Sequence, residues 1–383
     1  MNRARLLLGR LTASTTSLLL TCAGAGLLGC DPTRDPTSDD DDRRVEPNDT
    51  DDDDGNDGDD GEGGDGDGDD GDGDDGDGDG AAGPAFFVAV GEGGRRLVSA
   101  AGETWQHDVA EVDDGGDDDR LFRGVCAGVV QGQRVLLAVG GSARGRVLRS
   151  VDDGVSWSLA VDDDRGWIGA CAIDDAGVAV FVGSGRSDRS LDGGRTLIDP
   201  GTQRGAQGNW QLRDVVVAGD VFVAVGDAGV STSVDGVVWS EPRGPRGLSR
   251  VAVGVFGGTM RAVAVGASVR ATSADLSSWS ESPIDGGRDV VCDGARFVVV
   301  GIGLRQVSTD GVSFAVSGGP AIERLAVGVV DGRPRFVGVR YPDRRQISDD
   351  AEIWTDVAAG GASGNALVDV VFVPARPPTT QGR

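Results

Sequence analysis

The side chains available for chemistry in this 383-residue chain are few in kind. It carries 63 Asp and Glu, 36 basic residues that are all Arg, one His and five Cys. Without Lys there is no Schiff-base or P-loop lysine chemistry, and the lone His107 argues against His-based triads and multi-His metal sites. The charged residues fall into a pattern. Arg123, Arg213, Arg250, Arg288 and Arg324 align at one position ahead of five Val-rich runs, and Asp214, Asp289 and Asp369 align at the next position in three. A ring of such groups would bind an anionic or carbohydrate ligand, with Arg clamping carboxylates bidentately. The alternative is Arg–Asp pairing between neighbouring elements that neutralises buried charge, and repetition favours it. A glycosidase needs two facing carboxylates, and Asp214 with Asp289 are the one pair worth testing.

Three further sets carry potential chemistry. Trp167 and Trp210 each stand just before a Val-rich run, placed either to stack on sugar rings or to pack as hydrophobes, packing being favoured. Two acidic loops, one with Asp113, Asp114, Asp117, Asp118 and Asp119 and one with Asp162, Asp163 and Asp164, offer the oxygen ligands that Ca²⁺ takes. Solvated loops are the favoured reading, and no other cofactor is indicated. Cys126 and Cys171 fall at matching positions of successive runs, with Cys292 one residue further along. Matching positions on neighbouring strands lie too far apart for the usual disulfide Cα separation. Three buried thiols are therefore expected, with a Cys126–Cys171 bridge as the alternative.

The net charge of −27 is concentrated. Residues 31–80 hold 25 acidic residues against three Arg, a local charge of −22. No segment carries a basic patch, which argues against nucleic-acid binding. The acidic tract is nearly all Asp and Gly, with one aliphatic residue, Val45, beyond its prolines, so it cannot bury a core. Self-repulsion extends it and Gly keeps it flexible, as suits a spacer. Weak Ca²⁺ association by its DGDGDD runs is the alternative.

Upstream, Arg3, Arg5 and Arg10 precede an apolar stretch from Leu11 to Leu28 that is broken by Ser and Thr. This is a secretory-signal pattern, too polar for a permanent transmembrane helix. It ends in Leu27-Leu28-Gly29-Cys30, which resembles the lipobox of bacterial lipoproteins. The resemblance implies cleavage before Cys30 and acylation of its thiol by chains such as palmitate. Several acyl chains anchor stably where one alone would not.

The remainder of the chain repeats. Seven segments align: SAAGETW, SVDDGVSW, SLDGGRTL, SVDGVVW, SADLSSW, STDGVSF and SDDAEIW. They close on Trp105, Trp157, Leu197, Trp239, Trp279, Phe314 and Trp354, spaced by 35 to 52 residues. Each follows Val-rich runs bounded by Gly or Asp-Gly turns, as in antiparallel sheet, and no helical periodicity is sustained. Units of about 40 residues with four short strands are the signature of propeller blades. The S-x-D-x-G-x-x-W pattern resembles the Asp-box, or BNR repeat, of sialidase-type propellers. Asp152, Asp192, Asp235, Asp275, Asp310 and Asp350 hold the Asp position, and Ala101 replaces it in the first copy. In that family the boxes are structural and lie on the outer edge, while function lies around the central opening.

An all-β, seven-bladed propeller is expected, preceded by a disordered acidic linker. The first repeat begins abruptly at AFFVAVG (85–91), and ALVDVVFVP (366–374) has no repeat after it. The C-terminal strand should therefore complete blade 1 beside three N-terminal strands, which leaves no open edge. The expected organisation is a signal peptide over 1–29, lipidated Cys30 and linker to 84, the propeller over 85–374, and a disordered tail over 375–383. Sialidase activity does not carry over: the chain has one Tyr, Tyr341, and no Arg-Ile-Pro motif. The expected function is a monomeric binding scaffold for protein or glycan without catalysis, lipid-anchored in a bacterial cell envelope and facing periplasm or cell surface. The alternative is a carbohydrate-active enzyme or lectin with its site at the central opening.

Overall fold

A computed structural model describes residues 83–111, 120–200, 211–358 and 364–376. Cys30, the Asp/Gly tract, Trp210 and the loop bearing Asp113, Asp114, Asp117, Asp118 and Asp119 lie outside those residues. The described chain is a seven-bladed β-propeller whose one helical element is a three-residue 3₁₀ turn at Glu92–Gly94. The innermost, first strands are Leu367–Val373 in blade 1, Phe122–Val130 in blade 2, Ile168–Ile173 in blade 3 and Leu212–Ala218 in blade 4. Arg250–Phe256, Gly287–Cys292 and Arg324–Val330 complete the ring as blades 5 to 7. The closure follows the sequence expectation: Leu367–Val373 pairs antiparallel with the N-terminal strand Phe86–Gly91. Blade 1 is thereby built from one C-terminal and three N-terminal strands.

Second strands such as Val221–Gly226 and Phe297–Gly301 read as unbroken apolar runs because each of their faces meets a neighbouring blade. Seven hydrophobic clusters result, one at each interface between blades. The residue closing each repeat packs on the interface with the preceding blade. Trp239, for instance, joins Ala170, Ala172 and Val180 of blade 3 to Leu212 and Phe222 of blade 4. Leu197 and Phe314 take the same place in their blades. The repeat length therefore sets where each hydrophobic wedge lands.

Not every blade keeps four strands. In blades 3 and 4 the fourth is reduced to a single bridge, Arg189 with Ile198 and Val230 with Arg243. Pro200 follows the first bridge closely, and Pro242 and Pro245 flank the second. Proline has no N–H to donate, so a ladder cannot extend there.

Candidate functional site

The five arginines aligned in the sequence do not share one structural position. Seven residues, one per blade, each pair with a valine of the second strand: Asp369 with Val90, Gly124 with Val139, Ala170 with Val182, Asp214 with Val225, Arg250 with Val265, Asp289 with Val300 and Arg324 with Val339. In blades 1, 2, 3, 4 and 6 a bulge inserts one residue just before this position. Arg123, Arg213 and Arg288 are such inserted residues. In blades 5 and 7 the ladder begins at Arg250 and Arg324 themselves, which stand in register with the aspartates. A bulge sets two residues against one and offsets the pattern behind it. Around the ring from blade 4 to blade 1 the order is therefore Asp214, Arg250, Asp289, Arg324, Asp369.

These five groups converge on the axis. Each aspartate clasps the next blade through Oδ2, which accepts a backbone N–H: Asp214 from Val251 at 2.9 Å, Asp289 from Leu325 at 2.8 Å and Asp369 from Val125 at 3.0 Å. Asp289 also accepts from its neighbour Val290 N–H at 2.7 Å. Arg250 donates to the carbonyls of Ser249 and Arg213 and comes within 3.9 Å of Asp369, three blades away around the ring. Arg324 donates to the Glu323 carbonyl at 2.6 Å, and its buried Nε has no partner. Burial pushes Asp214 up to about 7 and Asp289 up to about 6, against the pull of Arg250, and raises Asp369 as well. Burial, with Arg250 beside it, lowers Arg324 to about 10. Burial also opposes charge on Arg250, but Asp214, Asp369 and Asp289 outweigh it and raise its pKa.

Along the axis runs a cavity of about 390 Å³. Asp214, Arg250, Asp289 and Asp369 line its charged part. Ala127, Ala172, Ile173, Val216, Val290 and Val371 are among the apolar residues that line the rest. The inserted arginines occupy the outer rim instead. Arg213 and Arg288 are exposed, Arg213 pairing with Asp227 at 2.8 Å, and Arg123 lies over the Trp167 ring at 5.3 Å. Trp167 is half-buried, so it packs and presents an edge at once.

The cysteine expectation is overturned. Cys126 and Cys171 form a disulfide, and Cys292 is a partly exposed thiol. The two half-cystines are staggered: Cys126 stands opposite Leu137, two residues beyond the ring position, and Cys171 opposite Phe181, one beyond. Their Cα atoms are 5.7 Å apart, inside the disulfide range. Glycine permits this approach. A Cβ on Gly124 would meet the Gly169 carbonyl at 2.8 Å, and one on Gly128 would meet Ile173 Cβ at 2.5 Å. Gly124 also leaves this interface without the carboxylate clasp found at three others.

The second acidic loop is a set of ion pairs. Arg144 takes Asp162 at 2.5 Å and also pairs with Asp164. Asp163 is gripped by Arg165 and Arg186 at 2.7 and 2.8 Å, and both guanidiniums continue to the fully buried Asp188. Guanidiniums occupy the carboxylate oxygens proposed for Ca²⁺, and no cluster of three metal-binding side chains occurs among the described residues. The sequence pattern missed Arg165, Arg186 and Asp188. Their signal was faint: an Asp two residues after Arg186, on a strand otherwise made of Ser and Arg.

At the outer edge the repeat turns are held as Asp and Gly predict. In the fourth copy Asp235 accepts N–H bonds from Val237 and Val238 at 2.8 and 2.9 Å, and Gly236 has φ 71°. Asp275, Asp310 and Asp350 make the same two bonds, while Asp152 and Asp192 accept from Ser156 and Thr196 across a turn one residue longer. Where Ala101 replaces Asp, Ser99 Oγ alone accepts the Gly102 N–H, at 2.8 Å. Trp105, Trp157, Trp279 and Trp354 each donate Nε1 to the carbonyl three residues back.

No protein-family model and no curated protein matches the chain. Several solved propellers are similar. The WD40 propeller domain of Doa1 has 12% identity and a TM-score of 0.50, over 66% of this chain and 86% of that one. YCF48 bound to D1 peptide has 12% identity and a TM-score of 0.47, over 72% and 84%. An ancestral GH74 enzyme has 12% identity and a TM-score of 0.46, over 68% of this chain and 45% of its own. The Doa1 likeness shows the propeller fold and nothing finer.

Proposed function

We propose that the protein is a lipid-anchored, extracytoplasmic propeller of the Asp-box type that binds a protein or glycan on its rim without catalysis. One observation carries the reading: the bulges of blades 2, 4 and 6 set Arg123, Arg213 and Arg288 apart from the sunken charged ring. Exposed Arg213 and Arg288, with half-buried Arg123 over Trp167, give the composition that binding surfaces favour. The ring charges are largely spent on the fold, since every ring aspartate has one oxygen committed to a neighbouring blade. The Asp-box assignment rests on the Ser–Asp–Gly turns and their repeated N–H contacts. The anchor rests on Arg3, Arg5, Arg10 and the Leu27-Leu28-Gly29-Cys30 sequence; among the described residues no helix is long and apolar enough to cross a membrane.

A glycan array probed with the purified protein, with and without Ca²⁺, tests the rim. Binding lost on Arg288→Ala or Trp167→Ala, with folding intact, supports a glycan-binding rim. No glycan signal, together with a protein partner whose cross-links map to Arg213 or Arg288 variants, supports the protein scaffold. Cross-links confined to the opposite face would contradict both. A hydrolase has one observation in its favour, Asp214 held near a pKa of 7 beside Asp289. Any hydrolysis that survives Asp214→Asn removes that reading. Radiolabelled palmitate incorporated by the wild type and absent from Cys30→Ala is the result expected for the anchor.

A further inference from the structure

The first repeat turn lacks the aspartate of the other copies and keeps their backbone. SAAGETW and SVDGVVW have the same length, and Gly102 has φ 81° where Gly236 has 71°. Ser99 Oγ accepts the Gly102 N–H at 2.8 Å, as Ser233 Oγ accepts that of Gly236 at 2.9 Å. In the fourth copy Asp235 then accepts the N–H groups of Val237 and Val238 and the Ser233 hydroxyl as well. The counterparts in the first copy are the N–H groups of Glu103 and Thr104. Neither has an acceptor among the described residues. The Ser99 hydroxyl donates to the Thr104 carbonyl instead, at 2.6 Å. Two neighbouring donors thus keep the arrangement that holds a carboxylate elsewhere, with no carboxylate of their own.

Glu103 and Thr104 line a cavity of about 450 Å³, within the usual range for small-molecule sites. Phe86 and Val98 of blade 1 and Val155 of blade 2 give it apolar walls. The two acids that line it are already paired, Glu103 with Arg335 at 2.8 Å and Asp153 with Arg134 at 3.0 Å. An incoming anion therefore meets no unpaired carboxylate. Successive backbone N–H groups form anion-binding concavities, and a charged acceptor makes such bonds roughly twice as strong as neutral ones. We propose that this cavity binds a carboxylate carried on an apolar body. Its oxygens take the N–H groups of Glu103 and Thr104, as Asp235 takes those of its own turn, and its body lies against Phe86, Val98 and Val155. A small organic acid and the free C-terminus of a peptide both present this chemistry. The site is separate from the proposed rim, so either reading can fail alone.

Isothermal titration of the purified protein with hexanoate and with N-acetyl-glycyl-leucine tests it, the first representing a small acid and the second a peptide terminus. At least one should bind saturably with a Kd below about 10 mM, and which one does identifies the source. The corresponding amides, hexanamide and N-acetyl-glycyl-leucinamide, keep the apolar body and lose the charge. Each should bind at least about tenfold worse than its acid, the loss expected when about 1.4 kcal/mol of interaction is removed. Ala101→Asp gives the turn the acceptor that the other copies have. It should weaken the acid by at least about tenfold while the midpoint of thermal unfolding stays level or rises. The proposal is overturned if neither acid binds below about 10 mM, or if an amide binds as well as its acid. It is equally overturned if Ala101→Asp binds the acid as the wild type does, or if that variant unfolds at a lower temperature.

Discussion

The propeller uses aspartate in two places to opposite electrostatic ends. At the outer edge, Asp235 accepts two N–H bonds from its own turn and its pKa falls, because those bonds outweigh the cost of burial. Asp275 and Asp310 fall too, through backbone bonds at the solvent surface, Asp310 to about 2. At the axis, Asp214, Asp289 and Asp369 accept similar bonds, yet their pKa values rise, because burial and mutual repulsion outweigh both the bonds and Arg250. One bonding motif therefore gives a fixed charge at the edge and a proton-binding group at the centre. Dielectric decides, not residue type.

The axial charges are most sensitive to loss of Arg250. Arg250→Met leaves three aspartates facing one remaining guanidinium, and removal of one partner from a buried charge set costs about 3–5 kcal/mol. Urea unfolding should show that loss at pH 8 and a smaller one at pH 5, where the carboxyls take up protons. A loss independent of pH would mean that Arg250 acts by packing alone. The covalent part of the inner ring comes next. Replacing Cys126 and Cys171 together by Ala opens a 45-residue loop and should cost about 2–4 kcal/mol in the same measurement.

Edge effects are smaller. Asp235→Ala removes the acceptor of two N–H groups, as loss of a helix cap does, and should cost about 0.5–2 kcal/mol with no pH dependence between 5 and 8. A clear pH dependence there would erase the contrast with the axis. The smallest effect is expected at Leu276, which has φ 60° where five copies place Gly and the seventh places Ala351. Leu276→Gly relieves left-handed backbone strain but loses packing against Trp279 and its neighbours, so the midpoint of unfolding should move by less than about 1 kcal/mol.

Much of this was legible in the sequence. The closing Trp, Leu or Phe marked each interface, because a wedge must recur once per blade. The unmatched strand 366–374 revealed the closure. The order of ring charges was hidden, because aligning Arg250 and Arg324 with Arg213 puts them at the inserted position, one residue short of where their ladders hold them. Counting outward from each hairpin would have exposed it. Two glycines separate Phe256 from Thr259 and bring Arg250 opposite Val265, whereas the same count from Ala218 and Val221 brings Asp214, not Arg213, opposite Val225. The disulfide was hidden for a related reason. It depends on how closely two blades approach, and Gly124 and Gly128 set that distance without any Cys pattern to announce it.

Burial makes the axial aspartates bind protons that the edge aspartates refuse. A carboxyl whose pKa rises on folding binds more protons folded than unfolded, so its contribution to stability falls as pH rises. For Asp214 that fall runs from the ordinary Asp value of about 3.9 up to about 7. The edge carboxylates act in the opposite sense, and only below the ordinary range. The most direct measurement is urea unfolding of the wild type and Asp214→Asn at intervals from pH 4.5 to 8. The wild type should lose stability relative to the variant as pH rises through 5 to 7, and the difference should level off above the Asp214 pKa. Parallel curves for the two proteins across that range would contradict it.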